Sequence, residues 1–558
     1  KSQQDILRIG VVRYPEKNII AYSPFHPINV AYQIALAKAA SDMTIEIRDD
    51  ILKKLCSDNL LPMVRDDDGE LYRILDQKHS PQWTYYYKAN AKKNNGSRDF
   101  VSVIVREKIT EFYNHFGYLF DSVGNNKIII DAVNMGDCHN LFKGIILYFL
   151  DQYRVEKSPD SMLTIIINVY NDNRIHSVFE CLAHKHLLRK FIDKLELRYD
   201  KNHLTISELV NCLVSKIKFY SKDLSDAEYD YCHLAFIEMD QKTNEGFSNH
   251  NDIRSGTMLQ GLVSGVSSTY YGQSHSYRTG YGSKFNAEDE TDLICLSNMY
   301  NSAMYVFGQS NPYISNNVLC TFIDEKETET IEKTYNSSNW VVFIDPKVDL
   351  NFFKNADKDI MIIHYSDQHT TSSGYDAITV TRKTEQYANI LREYLVENSL
   401  PAGDLSNIRS MIDMFNAVNG DWLLKLISSS DNFRKEKISI QSAIKLALAF
   451  FYSENIIWIP IALEEILRVS GAVGLSQNGG LFSAKNLGYN SGATSDDLLL
   501  FGVEVREEKV YVHIYPLEVK IGYKNADEIT KATEQIKRTK EIFDTKLISS
   551  DSENSLQY

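Results

Sequence analysis

Apolar residues along the chain follow three successive patterns. Within residues 1–158 they recur at helical spacing, as over 28–40 and 142–155. Over residues 159–445, short apolar runs alternate with helical patterns, an order typical of α/β domains with a largely parallel sheet. Over residues 446–547, two β-rich runs stand between two further helical patterns. The pattern predicts a multidomain α/β protein with a mostly helical N-terminal domain, an α/β middle domain and a smaller C-terminal domain.

The predicted middle domain carries polar clusters where two of its strands are expected to end. These clusters are residues 345–349 and 365–368. In parallel sheets, ligands bind just beyond the carboxyl ends of the strands. Both clusters are therefore candidates for contact with a ligand or a partner protein, and capping of the strand ends by Asp and Ser is the alternative. A degenerate nucleotide-binding scaffold is a further interpretation of this domain.

A segment rich in Gly, Ser and Tyr, residues 264–284, is predicted to be a loop. Tyr, His and Arg placed among glycines can stack on bases or hold phosphates once the segment is ordered. Loops of this composition are equally common as plain connectors, so both interpretations stay open. The last residues, 548–558, are expected to form a flexible tail.

The two β-rich runs of the C-terminal domain predict a hairpin. They flank the polar turn 506–509, and counting outward from this turn places Asp497 and Glu518 opposite each other. Because side chains alternate along a strand, Lys520 falls on the same face as Glu518. Pro516 has no N–H to donate, so it predicts an edge strand or a bulge. A one-residue bulge would bring in Asp496 in place of Asp497.

Two carboxylates and a lysine on one sheet face suit a divalent metal and a phosphodiester. Asp497 and Glu518 would bind Mg²⁺ or Mn²⁺, and Lys520 would orient or deprotonate the attacking water. A solvent-exposed hairpin with alternating charges is the other interpretation. The apolar character of both runs favours the metal site. Charged residues at the ends of apolar strands are costly to bury, and residues kept in such places tend to belong to functional sites.

Two helical patterns flank the hairpin. The upstream pattern, residues 458–471, has Pro460 near its start, and either Glu464 or Glu465 is expected to reach the metal, directly or through water. The downstream pattern, residues 527–543, places Gln535 where it would brace the site or touch the substrate. Its basic residues either grip DNA phosphates or form a solvated face of alternating charge; they are Lys531, Lys537, Arg538 and Lys540.

The net charge, the cysteines and the motifs that are missing limit the kinds of partner and ligand that the sequence predicts. The net charge of −14 is unfavourable for a protein that binds DNA unaided, and it favours reliance on a metal and on partner subunits. The 7 cysteines form no C-x-x-C pair, and neither a signal peptide nor a membrane-spanning run is found, as expected for a cytoplasmic protein. No phosphate-binding G-x-x-x-x-G-K-[ST] motif occurs, so no nucleotide site is predicted. The chain opens at Lys1 without a methionine, as expected for a fragment of a longer protein.

The hairpin Asp, the E-x-K motif and the flanking helices with Glu and Gln resemble the core of the PD-(D/E)XK nuclease superfamily. Further strings, spread over most of the chain, resemble the DptH family of DNA phosphorothioation-dependent restriction proteins. These strings are YSPFHPI (22–28), WVVFIDPKVDL (340–350), IHYSDQ (363–368), SGYDAITVT (373–381), SDDLLL (495–500) and YPLEVKIG (515–522).

The resemblance implies a bacterial defence function. The protein would be a metal-dependent endonuclease that works with other restriction subunits and cleaves foreign DNA lacking the host's sulfur modification. Members of this kind resemble nuclease–ATPase fusions, so the missing ATPase part is expected elsewhere in the full-length protein or in a partner. A decayed nuclease fold that binds DNA or assembles the defence complex without cutting is the alternative.

Overall fold

The computed structural model describes most of the chain. The described residues are 2–41, 63–74, 83–88, 99–120, 126–155, 159–172, 174–195, 197–199, 204–240, 242–247, 254–260, 264–270, 277–282, 317–345, 352–353, 360–367, 377–397, 405–418, 431–463, 497–507, 509–520 and 526–544.

The described residues contain both helices and strands, which are labelled here in chain order. The helices are α1 (Ser2–Leu7), α2 (Pro27–Ser41), α3 (Asp99–His115), α4 (Gly117–Phe120), α5 (His139–Arg154), α6 (Lys185–Lys194), α7 (Ile206–Lys216), α8 (Glu325–Ser337), α9 (Glu385–Glu397), α10 (Leu405–Val418), α11 (Asp431–Phe450) and α12 (Ala526–Ile542). The strands are β1 (Val11–Tyr14), β2 (Ile19–Tyr22), β3 (Met63–Arg65), β4 (Leu71–Ile74), β5 (Thr84–Lys88), β6 (Lys127–Val133), β7 (Thr164–Asn171), β8 (Ile217–Asp223), β9 (Cys232–Ile237), β10 (Lys242–Phe247), β11 (Arg254–Gln260), β12 (Ser264–Tyr270), β13 (Tyr277–Gly282), β14 (Asn317–Phe322), β15 (Ser338–Ile344), β16 (Met361–Asp367), β17 (Ala377–Thr381), β18 (Ile456–Ala462), β19 (Leu498–Arg506) and β20 (Lys509–Leu517). The protein is therefore of the mixed α/β class, as the sequence predicts.

The chain divides into two compact units. The first comprises Lys1–Asp42, Leu52–Ile360 and Thr370–Arg382, and the second comprises Met43–Ile51, Met361–His369 and Lys383–Tyr558. None of the helices within the described residues is both long and apolar enough to cross a membrane.

A largely parallel sheet forms the core of the first unit. Within this unit, its strands lie in the order β17–β15–β9–β6–β7–β8. Among these strands, β17 alone runs antiparallel to its neighbour, β15. The central strands are rich in Ile and Val and almost wholly buried, as expected for a sheet covered on both faces. The strand β6 precedes residue 159, so this sheet extends across the boundary expected there between the N-terminal and middle domains.

The helices α3 and α5 pack closely together in the first unit. A Cβ added at Gly144 of α5 would lie 2.7 Å from the Ser102 carbonyl oxygen and 2.7 Å from Cβ of Val105, both in α3. Glycine therefore sets the distance between the two helices.

The N-terminal region also contains strands that the helical pattern did not predict. The segments predicted to be helical at 28–40 and 142–155 do lie in α2 and α5. The strands β1 and β2, which precede α2, and β3 to β5, which follow it, form an antiparallel sheet in the order β1–β2–β5–β4–β3. Each strand has only three to five residues. Strands this short show too few alternations to be recognised from sequence.

The Gly/Ser/Tyr-rich segment is not simply the loop that was predicted over 264–284. It contributes the strands β12 and β13, which pair antiparallel from Gly265 with Gly282 to Tyr270 with Tyr277. These strands belong to a sheet in the order β10–β14–β13–β12–β11. Thr, Val and Tyr among the small residues supply the strand preference that its glycines obscure.

The second unit contains an antiparallel sheet in the order β18–β19–β20. The prediction of a helix starting at residue 458 is wrong, because residues 456–462 form β18 and pair with β19 throughout. Isoleucines dominate this segment and favour a strand, and Pro460 is accommodated because β18 lies at the sheet edge. The downstream helix predicted over 527–543 is present as α12.

One carboxyl group lies in the centre of the parallel sheet. Asp131 of β6 is fully buried, and its Oδ1 accepts a hydrogen bond from Nδ2 of Asn168 at 2.8 Å. Burial raises the pKa of Asp131 to about 7, because removal from water penalises the charged form more than this hydrogen bond favours it.

We expect Gly144→Ala to lower the midpoint of thermal unfolding, with a loss of roughly 1–3 kcal/mol from forcing α3 and α5 apart. The matched control is Gly117→Ala at the start of α4, because a Cβ there meets no atom within 4 Å. Thermal unfolding followed by circular dichroism checks the pair. Equal midpoints for the two variants would contradict the close packing of α3 on α5.

We expect Asp131→Asn to gain stability over the wild type as the pH rises. The unfolded carboxyl releases its proton near pH 4, whereas the folded one holds it up to about pH 7. The folded state therefore binds more protons between these values, and wild-type stability falls by about 1.4 kcal/mol per pH unit there. Comparing the two proteins cancels other groups that titrate nearby, such as Glu327, whose pKa burial raises to about 8.

Thermal unfolding of both proteins at about pH 5 and about pH 8 measures this difference. A gap between the two midpoints that does not change with pH would show that Asp131 ionises in the folded state as readily as in water.

Candidate functional site

The hairpin of β19 and β20 has the predicted register. Nine successive residue pairs join the strands, from Leu498 with Leu517 at one end to Arg506 with Lys509 at the turn. Asp497 and Glu518 are the next residues outward from the first pair. They therefore face each other across the end of the hairpin, where opposed side chains come close enough to share a ligand.

Pro516 does not disturb this ladder. It pairs in register with Leu499, without a bulge, and lies in β20 at the edge of the sheet. Of the two readings open from the sequence, the edge strand is the correct one. A bulge that would bring in Asp496 is absent from the described pairs, and Asp496 itself lies outside the described residues.

Asp497 is fixed by backbone groups of both neighbouring strands. Its Oδ2 accepts a hydrogen bond of 2.7 Å from the backbone N–H of Val519, beyond the end of β20. Its carbonyl oxygen accepts one of 3.2 Å from the N–H of Leu463, beyond the end of β18. The residue is buried. Asp497 thus ties together the three strand ends where the predicted site lies.

Glu518 and Lys520 contact each other directly, although β20 ends at Leu517 and the predicted strand does not reach them. Nζ of Lys520 donates a hydrogen bond to Oε1 of Glu518. The Glu518 side chain is 2% exposed, whereas that of Lys520 is 37% exposed. A buried carboxylate is therefore paired with a cation that also reaches solvent.

The remaining predicted site residues fall on either side of the hairpin. Gln535 is half-buried on α12, and α12 packs against β20. Glu464 and Glu465 lie outside the described residues; the residue before them, Leu463, is the one bonded to Asp497. The structure therefore brings Asp497, Glu518 and Lys520 together at one end of the hairpin and places Gln535 on the helix beside it.

The basic residues of α12 are exposed, as both readings of this helix require. Acidic residues alternate with them, and Arg538 lies 3.7 Å from a carboxylate oxygen of Glu534. The surface of α12 thus carries charges of both signs.

The opposite end of the hairpin holds a second charged cluster, which the sequence analysis missed. The buried carboxylate of Glu504 accepts hydrogen bonds from Arg506 and from Nε2 of His513, the latter at 2.8 Å. The hydrogen bond from Arg506, followed by that from His513, lowers the pKa of Glu504. Both donors have exposed or partly exposed side chains. Strand alternation and the hairpin count together would have placed these three residues on one face.

The polar clusters of the middle domain are only partly described. Asp345 is buried at the end of β15 with a φ of 45°, and residues 346–349 lie outside the described residues. Residues 365–367 belong to β16 itself. This cluster is therefore part of a strand rather than lying beyond its end.

Another acidic group stands out among the described residues, at Asp66, Asp67 and Asp68 in the first unit. Its ligand atoms lie within 4.8 Å of one another, and it is the one such set of three or more found in the described part of the chain. The guanidinium of Arg13 bonds to all three carboxylates. Asp66 also accepts the backbone N–H groups of Asp68 and Glu70 in a turn. An arginine thus supplies the positive charge here, and the cluster gives no reason to assign a metal.

We expect Asp497→Ala to destabilise the protein by about 1–2 kcal/mol, because the N–H of Val519 loses its acceptor. Asp497→Asn keeps an acceptor oxygen of the same shape and should unfold close to the wild-type midpoint. Thermal unfolding without added metal checks the pair. Identical midpoints for the Ala and Asn variants would contradict a structural role for this hydrogen bond.

Comparison with known proteins identifies no family for this chain. No family model matches the chain, and neither the curated proteins nor the solved structures give a significant match. The function must therefore be inferred from the geometry at the end of the hairpin.

Proposed function

We propose that the second unit contains a Mg²⁺- or Mn²⁺-dependent DNA endonuclease of a bacterial phosphorothioation-dependent restriction system. The observation that carries the proposal is the hairpin register, which sets Asp497 opposite Glu518 with Lys520 bonded to Glu518. This charged trio lies directly beyond the ends of two strands that are rich in apolar residues, at the place where the three strand ends converge.

The residues present fit a divalent cation. Asp497 and Glu518 supply carboxylate oxygens, the donors that Mg²⁺ and Mn²⁺ prefer, and both are largely shielded from bulk water. A metal held there would polarise the scissile phosphate and stabilise the charge that develops on it. The hydrogen bonds that Asp497 accepts from the backbone N–H groups of Val519 and Leu463 keep its carboxylate in place before any ligand arrives.

Lys520 is suited to hold the attacking water. Its Nζ lies beside the buried carboxylate of Glu518 and its side chain reaches solvent, so a water entering the site meets an ammonium group. That group can orient the water and stabilise the hydroxide formed when it loses a proton.

The order of elements around the hairpin supports the same proposal. Among the described residues, α11 precedes β18 and α12 follows the hairpin of β19 and β20, and the hairpin Asp, the E-x-K motif and the following helix with Gln resemble the PD-(D/E)XK nuclease core. Gln535 on α12 would brace the site or contact the substrate. In the sequence, Glu464 and Glu465 follow Leu463, whose N–H bonds to Asp497. One of them would add a metal ligand.

The proposed nuclease acts with partners. The exposed Lys and Arg side chains of α12 would contact DNA phosphates next to the site. Acidic residues alternate with them and the net charge of the chain is −14, so these few cations give little affinity on their own. Other restriction subunits, and an ATPase part in the full-length protein or in a partner, would bring the DNA to the site.

One observation favours a second candidate function. The ion pair of Lys520 with Glu518 satisfies both charges without a metal. In a decayed nuclease, this pair would hold the hairpin end together, and the unit would bind DNA or assemble the defence complex without cutting. Plasmid cleavage and metal-dependent thermal stability separate the two functions.

We expect the protein to nick or cut supercoiled plasmid DNA in the presence of Mg²⁺ or Mn²⁺, with candidate partner subunits added where required. Lys520→Ala should lower the cleavage rate by roughly 10²- to 10⁴-fold, the effect typical of removing a positioned proton-transfer group. Asp497→Asn and Glu518→Gln should abolish cleavage. Lys445→Ala, which removes an exposed lysine of α11, is the matched control and should cut like the wild type.

A thermal shift separates metal binding from cleavage. Mg²⁺ or Mn²⁺ should raise the unfolding midpoint of the wild type by mass action, and Glu518→Gln should remove the shift. Cleavage that survives both Glu518→Gln and Lys520→Ala would exclude this site. Retained DNA or partner binding, with neither cleavage nor a metal-dependent shift, would establish the scaffold function instead.

A further inference from the structure

Helix α6 carries a net positive charge in a chain that is acidic as a whole. It contains four basic residues, Lys185, Arg189, Lys190 and Lys194, and one acidic residue, Asp193. Four positive charges and one negative charge give the helix a formal charge of +3, whereas that of the whole chain is −14. We call the four basic residues the basic face of α6.

The apolar side of α6 holds the helix against the first unit. Leu188 and Ile192, about one turn apart, are buried. The ring of Phe191 stacks on that of Phe142 in α5, with centroids 5.1 Å apart and planes inclined by 13°. Because the apolar residues fall on one side of the helix, the basic residues are left on the other side, and all four are exposed to solvent.

Neighbouring side chains do not neutralise the basic face. Within the described part of the chain, Arg189, Lys190 and Lys194 pair with no carboxylate, and the one acidic residue of the helix makes no ion pair either. Nζ of Lys185 donates a hydrogen bond of 2.8 Å to Oδ1 of Asn211 in α7, which is a neutral group. The positive charges of the face are therefore available to a partner.

Helix α12 differs from α6 in its charge balance. It carries four basic and four acidic residues, so its formal charge is zero. Alternating charges of both signs give little net attraction for a line of phosphates, whereas clustered cations attract it. The charge distribution therefore favours α6 over α12 as the main contact with nucleic acid.

The length of the basic face suits a DNA strand. Lys185 and Lys194 are the first and last residues of the helix, so the face extends about 14 Å along the axis at roughly 1.5 Å per residue. Successive phosphates of one strand are about 3.4 Å apart along the DNA axis, so this length spans about four of them. Contacts with phosphates position the duplex and carry no sequence information.

We propose that the basic face of α6 binds the phosphate backbone of double-stranded DNA, irrespective of sequence. The proposal rests on the proposed function only for the choice of DNA, because an acidic protein would meet the same charges. A chain with a net charge of −14 repels DNA over much of its surface, and a local cluster of cations overcomes that repulsion at one place. The basic face belongs to the first unit, whereas Asp497, Glu518 and Lys520 belong to the second. Binding and cleavage are thus assigned to different parts of the chain.

Fluorescence anisotropy of the full chain with a short labelled DNA duplex tests the proposal, in EDTA and over salt concentrations from about 50 to about 200 mM. Each phosphate contact contributes about 0.9 to the slope of log K against log salt concentration. The triple variant Arg189→Gln, Lys190→Gln, Lys194→Gln should therefore flatten the slope by about 2 to 3. It should also weaken binding roughly tenfold or more at the lowest salt concentration.

The matched control removes three exposed lysines from other elements, by Lys17→Gln, Lys326→Gln and Lys445→Gln. It changes the net charge of the chain equally and should keep the wild-type slope. Circular dichroism and unfolding midpoints establish that each variant is folded.

A wild type that does not bind the duplex, or a triple variant that loses no more affinity than the control, would overturn the proposal. So would binding of polyglutamate, but not of DNA, through the same residues, which would assign the face to an acidic protein. Lys520→Ala should bind DNA like the wild type. Binding that depends on α6 without any metal-dependent cleavage would count against the nuclease alone. Cleavage that depends on Lys520, with binding unaffected by the α6 variants, would count against the basic face alone.

Discussion

The backbone register of β19 and β20 is the constraint on which the second unit depends. Nine pairs in unbroken register fix which residue of one strand faces which residue of the other. A slip by one residue would turn every side chain of a strand to the opposite face. Glu518 would then leave Asp497, and Glu504 would lose His513. One set of backbone hydrogen bonds therefore positions both the candidate site and the second charged cluster.

The hairpin was predictable because its information is local. A polar turn between two apolar runs fixes the register by counting, and with it the positions of Asp497, Glu518 and Lys520. The groups that hold Asp497 were not predictable, because the backbone N–H of Val519 and that of Leu463 leave no mark in the amino-acid types. The alternation of apolar runs and helical patterns in the middle of the chain likewise predicted a parallel sheet.

The errors came from segments whose structure depends on distant partners. The segment of β18 resembled a helix start because Pro460 suits a first helical turn and Gly471 suits a helix end. Pairing with β19 across more than thirty intervening residues makes it a strand. The N-terminal sheet was missed for a related reason, since β2 pairs with β5 from a distant part of the chain. Short strands contribute little signal of their own, and their partners decide their structure.

The contact of Trp458 with Gly502 links two positions that are far apart in the sequence. A Cβ at residue 502 would lie 2.5 Å from the indole ring, so any other residue there requires the ring to move or to be replaced. The ring in turn anchors the end of α11 to the sheet through its hydrogen bond to Phe451. Positions 458 and 502 therefore constrain each other: a residue larger than glycine at 502 fits only where the ring at 458 moves or is replaced.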